Sequence, residues 1–176
     1  MKKYVVCDTE TGGLNPRLNA LISVAAIGLD ENLNEIGRYY TVVKDTEDKL
    51  IEEKALEVNG FTVEQIAKEG KDVAKVMGIM KRLFDGAIPV FHNGPFDAAF
   101  LNLRGLHITE CIDTLSIARY KFSGQSARLG DVTQRFGFSV ENAHHSLGDV
   151  LMTINILRKF AEDDPSVLKP MPIRFK

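Results

Sequence analysis

The chain has 176 residues, 44% of them hydrophobic, which suits one ordinary domain with a substantial core. A formal net charge of −2 excludes a generally basic nucleic-acid coat, although local basic patches beside an acidic pocket remain compatible with it. The opening Met1 to Asp8 is too short an apolar run for a secretory signal, and no stretch approaches the roughly 20 apolar residues of a membrane span, so a cytoplasmic protein without membrane contact is expected. Cys7 and Cys111 both lie in apolar runs and read as buried free thiols, which suits a reducing compartment.

In chain order, Tyr4 to Cys7 is a first apolar strand that ends in Asp8, Thr9 and Glu10 and is broken by Gly12 and Gly13. Ala20 to Leu29 is a second strand and Glu35 to Val43 a third, and the short connections between them predict an antiparallel meander. Glu52 to Val58 and Thr62 to Glu69, the latter with Thr62 as cap, read as short helices, and Val73 to Phe84 follows at helical spacing. Ile88 to His92 and Ile108 to Ile112 are strands flanked by helical segments, hence parallel in the sheet. Leu115 to Tyr120, Ala127 to Phe136 and Leu147 to Phe160 complete the helices. The layout is an α/β layer fold with a mixed sheet, a single domain over 1–176 with its core at about 4–160 and no assignment for the segment 161–176.

Strand side chains alternate, so Asp8 and Glu10 project from one face, side by side at the carboxyl end of the first strand, where open α/β sheets hold their ligands. Two adjacent carboxylates are costly without a cation; they also suit an ordinary strand-to-turn junction. In Phe91-His-Asn-Gly-Pro-Phe-Asp97, Gly94 as cap and Pro95 at the first helical position put Asp97 in the opening turn of a helix, where the dipole favours a carboxylate with or without a metal. In His144-His-Ser-Leu-Gly-Asp149, Ser146 and Asp149 have capping-box spacing, so Asp149 is either a cap partner or a ligand. His144 and Asp149 would stand roughly 140° apart on one helix, so a shared site needs His144 on the preceding loop. Taken jointly, the four acids form the oxygen-only ligand set that hard divalent cations require. The bases Arg119, Lys121, Arg128 and Arg135 read either as a solvated helix face or as a phosphate track.

Asp8-Thr-Glu10-Thr-Gly, His92-Asn-Gly-Pro-Phe-Asp97 and His144-His-Ser-Leu-Gly-Asp149, in that order and spacing, resemble the three motifs of the DnaQ-like, or DEDD, 3′-to-5′ exonucleases. Ala55 to Thr62 and Ile112 to Leu115 also look like family sequence, so the resemblance covers roughly Tyr4 to Phe160. The third motif departs only in Ser146, where the family has alanine, and no tyrosine falls within it, which puts the chain with the histidine branch. The resemblance implies a ribonuclease H-like fold on a five-stranded mixed sheet, three antiparallel strands followed by two parallel ones. It implies two Mg²⁺ or Mn²⁺ ions held by Asp8, Glu10, Asp97 and Asp149, with His144 as general base. Thr11 (backbone), Asn93, Leu14 and Phe96 are implied as contacts to the terminal nucleotide. The expected partner is a nucleic-acid 3′ end, most readily DNA, with a DNA polymerase as a further candidate. An exoribonuclease resembling oligoribonuclease or ribonuclease T, and a non-catalytic nucleic-acid-binding or polymerase-associated module, are the alternatives. Oligomeric state is left unassigned.

Overall fold

The computed structural model describes residues 3–140 and 145–175. The meander is formed by β1 (Tyr4–Thr11), β2 (Leu21–Leu29) and β3 (Glu35–Lys44). All nine positions of β2 are buried, which explains its unbroken apolar sequence: helices or neighbouring strands cover it on every side. Next come α1 (Glu53–Asn59), α2 (Val63–Glu69), a two-residue strand β4 (Lys71–Asp72) and α3 (Val73–Phe84). The Thr62 side chain accepts from Gln65 N–H, as the cap expected there, and Asp72 caps α3 in the same way.

The second half runs β5 (Ile88–Phe91), α4 (Gly94–Leu103), β6 (Glu110–Asp113), α5 (Thr114–Lys121), α6 (Leu129–Arg135) and α7 (Ser146–Asp163). A 3₁₀ turn at Pro165–Leu168 leads to β7 (Met171–Pro172). The sheet order is β4-β3-β2-β1-β5-β6-β7, with β1, β5 and β6 parallel and β1, β2 and β3 antiparallel. Among the described residues the sheet thus has seven strands where five are expected from sequence. The two extra ones are edge pairs of two residues, β4 beside β3 and β7 beside β6, too short to show any alternation. No described helix is long and apolar enough to cross a membrane.

Each face of the sheet has its own core. Val5, Cys7 and Ala26 pack with Met77 and Met80 of α3 and Leu101 of α4, while Tyr4, Val6 and Ile27 pack with Val150, Ile154 and Leu157 of α7. Both cysteines are buried free thiols, as expected.

One buried ion pair ties the helix α4 to the meander. The Arg104 guanidinium donates to Asp45 Oδ2 and to the carbonyls of Asn19 and Phe100, and Asp45 Oδ2 also accepts from Leu21 N–H at 2.8 Å. The two side chains are only 6% and 3% exposed, so each charge depends on the other. Arg104→Ala, which strands Asp45 in the interior, is expected to lower stability by about 3 kcal/mol or more, read as a lower urea midpoint at unchanged slope.

Candidate active site

The alternation of β1 decides where its acids go. Tyr4 and Val6 face α7, so Asp8 and Glu10, at the same parity, face it too. α7 begins at Ser146 and carries Asp149 in its first turn. One carboxylate oxygen from each of Asp8, Glu10 and Asp149 lies within 4.8 Å of the other two.

Asp97 arrives by a different route. The parallel pairing of β1 with β5 covers only Tyr4 to Val6, and further along β1 the Thr9 N–H donates instead to Asp97 Oδ1 at 3.0 Å. The Thr9 hydroxyl donates to the same oxygen at 2.7 Å. Asp97 is 3% exposed and stands outside the three-acid group, although its charge acts on both Asp8 and Glu10. The helix start that delivers it differs from the sequence reading. Asn93, not Gly94, is the capping residue and sits in the left-handed region at φ 85°, with its N–H donating to Asp113 Oδ1 at 2.9 Å. Gly94 is instead the first helical residue, and a Cβ there would come within 2.5 Å of Cys111 Sγ, so the position needs glycine for close approach.

The third motif also differs in its local bonding. The capping-box alternative is not how α7 begins: His145, not Ser146, occupies the cap, and its side chain makes no capping hydrogen bond. Ser146 Oγ lies 3.0 Å from Ser23 Oγ, both buried, and Ser23 is the cross-strand partner of Glu10. This hydroxyl pair seats the start of α7 on β2 beside Glu10; the residue that departs from the family pattern is thus an anchor. His145 is exposed, with its ring 4.8 Å from that of Tyr40. His144 lies outside the described residues.

The four expected nucleotide contacts fall at the same end of the sheet. Leu14 is 83% exposed just past the Gly12-Gly13 break, and with Asn93 and Phe96 it lines a cleft of about 450 Å³. Thr11 is buried at a register shift of β1 that falls between Glu10 and Thr11; its carbonyl accepts from Asn59 at 3.4 Å, and it does not line the cleft. The cleft also takes in Arg119, which the sequence flagged only as part of a basic run, and Arg174 and Phe175, which carry no motif. His92, within the second motif, has a structural place: its Nε2 donates to the Ala127 carbonyl at 3.0 Å, and burial pushes its pKa down.

The acids repel one another. Burial, then the charges of Asp97, Asp149 and Glu10, hold the Asp8 carboxyl well above its usual range. Burial, then Asp149 and Asp97, push Glu10 up to about 8. Burial pushes Asp97 up to about 7 against the opposing hydrogen bonds from Thr9. Among the described residues no Lys or Arg forms an ion pair with Asp8 or Glu10. A half-buried cluster of carboxylate oxygens with no thiolate in it and no cationic side chain paired to β1 fits a hard divalent cation.

Proton linkage follows with a definite sign. Glu10 titrates at 4.5 when unperturbed and at about 8 here, so between those values the folded chain keeps protons that the unfolded chain has lost. Metal-free protein is therefore expected to melt at progressively lower temperature as pH rises from about 4.5 to 8, and Asp8→Asn, which removes one repelling charge, is expected to raise that melting temperature at pH 8. Calorimetry in EDTA across that range checks both. The hydroxyl pair gives a second expectation: Ser146→Ala is expected to cost about 1 kcal/mol, and the Ser23→Ala/Ser146→Ala double variant less than the sum of the single ones, read by denaturant melts.

Comparison with known proteins agrees with this architecture. The profile of the Exonuclease family matches residues 5–157. The DNA polymerase III PolC-type of Thermotoga petrophila is 27% identical over 165 residues, which cover 90% of this chain and 12% of that protein. The DNA polymerase III subunit epsilon of Buchnera aphidicola subsp. Schizaphis graminum is 27% identical, covering 90% of this chain and 72% of that protein. E. coli exonuclease I in complex with a dT13 oligonucleotide superposes with a TM-score of 0.84 at 22% identity, over 95% of this chain and 42% of that one, which is a likeness of fold. The chain spans 10–12% of the length of the first five PolC-type polymerases it matches. With the family profile covering residues 5–157, the chain belongs to the Exonuclease family.

Proposed function

We propose that the chain is a metal-dependent 3′-to-5′ exonuclease that removes nucleoside 5′-monophosphates from the 3′ end of a nucleic-acid strand, with DNA as its principal substrate. The observation that carries this reading is the convergence of Asp8, Glu10 and Asp149 within 4.8 Å, with Asp97 close enough to act on two of them, at the same end of the sheet as a cleft of about 450 Å³ lined by Leu14, Asn93 and Phe96. The choice of DNA is supported by relatives that are DNA polymerase III chains and by the fold shared with exonuclease I bound to dT13. A DNA polymerase is a candidate partner on the same grounds.

Asp8, Glu10, Asp97 and Asp149 would hold two Mg²⁺ or Mn²⁺ ions. When bound, these supply positive charge that lowers the pKa of the attacking water and stabilises the departing 3′ oxygen. His144 accepts the proton of that water, a role suited to a side chain with an unperturbed pKa near 6.5. Leu14 and Phe96 pack against the terminal base, while Asn93 and the Thr11 backbone orient its sugar. Contacts to a base face carry little sequence preference. Asp97 does two jobs in this reading, as a ligand and as the acceptor that holds the Thr9 backbone.

The test is release of mononucleotides from end-labelled single strands of DNA and of RNA, with Mg²⁺, with Mn²⁺ and in EDTA. Wild-type chain is expected to shorten DNA from the 3′ end only when metal is present. Asp149→Ala and Asp8→Asn are expected to lose at least 10³-fold in rate, and His144→Ala is expected to lose more than His145→Ala. Undiminished turnover by Asp8→Asn would end the metal reading, and faster turnover of RNA would transfer the chain to the exoribonucleases.

A further inference from the structure

The residues after α7 are fastened to the sheet. Cys111 pairs with Met171 and Glu110 with Pro172 in the antiparallel β6/β7 ladder, and Ile173 N–H donates to Thr109 O at 2.8 Å. Ile173 packs against the core beneath α3 and α4. This anchoring sends the next two side chains, Arg174 and Phe175, into the wall of the cleft that also holds Leu14, Asn93 and Phe96. Arg119 of α5 stands in the same wall.

The chemistry of that wall is uneven. Arg119 and Arg174 are exposed, and among the described residues neither forms an ion pair. Asp113, an acid that also lines the cleft, has its oxygens engaged by the N–H groups of Asn93 and Leu115 and by the Ser116 hydroxyl. Phe175 is 50% exposed, and Leu14, which lines the same cleft, is more so. Two unpaired guanidinium groups and exposed apolar side chains around one opening suit a ligand that bears both phosphates and flat bases.

We propose that Arg119, Arg174 and Phe175 form a strand-holding subsite, in which the two arginines take backbone phosphates of a single-stranded nucleic acid and Phe175 lies against a base. The subsite rests on the exonuclease reading and adds to it a contact made by the segment after the last helix. It makes this segment part of the substrate path, and Arg174 and Phe175 act on binding, leaving the bond-breaking step to the acids.

Binding of a 5′-fluorescent single-stranded DNA to the full chain, measured by anisotropy in EDTA over a range of salt concentrations, tests this alongside mononucleotide release in Mg²⁺. Each phosphate contact on a single strand contributes a slope of about −0.7 to the plot of log affinity against log salt. Arg174→Ala and Arg119→Ala are each expected to flatten the slope by about 0.7, Arg174→Lys to keep it, and Phe175→Ala to weaken binding about fivefold or more with the slope unchanged. Circular dichroism of each variant separates loss of fold from loss of a phosphate contact. If wild-type chain releases mononucleotides but the arginine variants keep its slope, the subsite is wrong and the exonuclease reading stands. If wild-type chain releases none under any metal, the exonuclease reading falls and the subsite with it.

Discussion

Like charges held together at one end of a sheet are the constraint around which the molecule is arranged. Asp8, Glu10 and Asp149 are brought within 4.8 Å of one another, with Asp97 close enough to raise the pKa values of the first two. At ordinary protein dielectric such proximity disfavours full ionisation, so the site is a reservoir of protons and of unfavourable energy that a divalent cation bound there would relieve. Under the proposed metal reading, cation binding and folding would be linked through the same carboxylates.

The surrounding framework resists that repulsion with neutral or self-compensated interactions. The Ser23–Ser146 hydroxyl pair fixes α7 to β2, the Arg104–Asp45 pair fixes α4 to the end of β3, and neither places a net charge beside the acids. Two apolar cores, one on each face of the sheet, set the depth at which β1 lies, and the pleat of that strand then determines which side chains face α7.

Much of this was legible in residues whose information is local. The alternation through Tyr4, Val6, Asp8 and Glu10 showed which face carries the acids, and Thr62 and the apolar period after Asp72 marked their helices correctly. What escaped depends on partners distant in sequence. Ser146 and Asp149 have the spacing of a capping box, yet Ser146 is claimed by Ser23, a residue 123 positions away. Gly94 read as a cap because glycine often is one, whereas its lack of a side chain serves the approach of Cys111. The edge strand at Met171–Pro172 has no period to detect, since its two residues are ordered by the exposed edge of β6 and by the packing of Ile173. His144, on which the proposed proton transfer turns, lies outside the described residues.

The Thr9–Asp97 contact has a consequence for how this domain can be silenced. Where β5 leaves β1, a carboxylate takes the place that a neighbouring strand's carbonyl would normally fill. Removing that side chain unpicks a main-chain amide as well as a candidate ligand, so a dead variant made at 97 confounds lost chemistry with a loosened backbone. Among the described residues no backbone amide donates to the Glu10 carboxylate, and a substitution there separates the two.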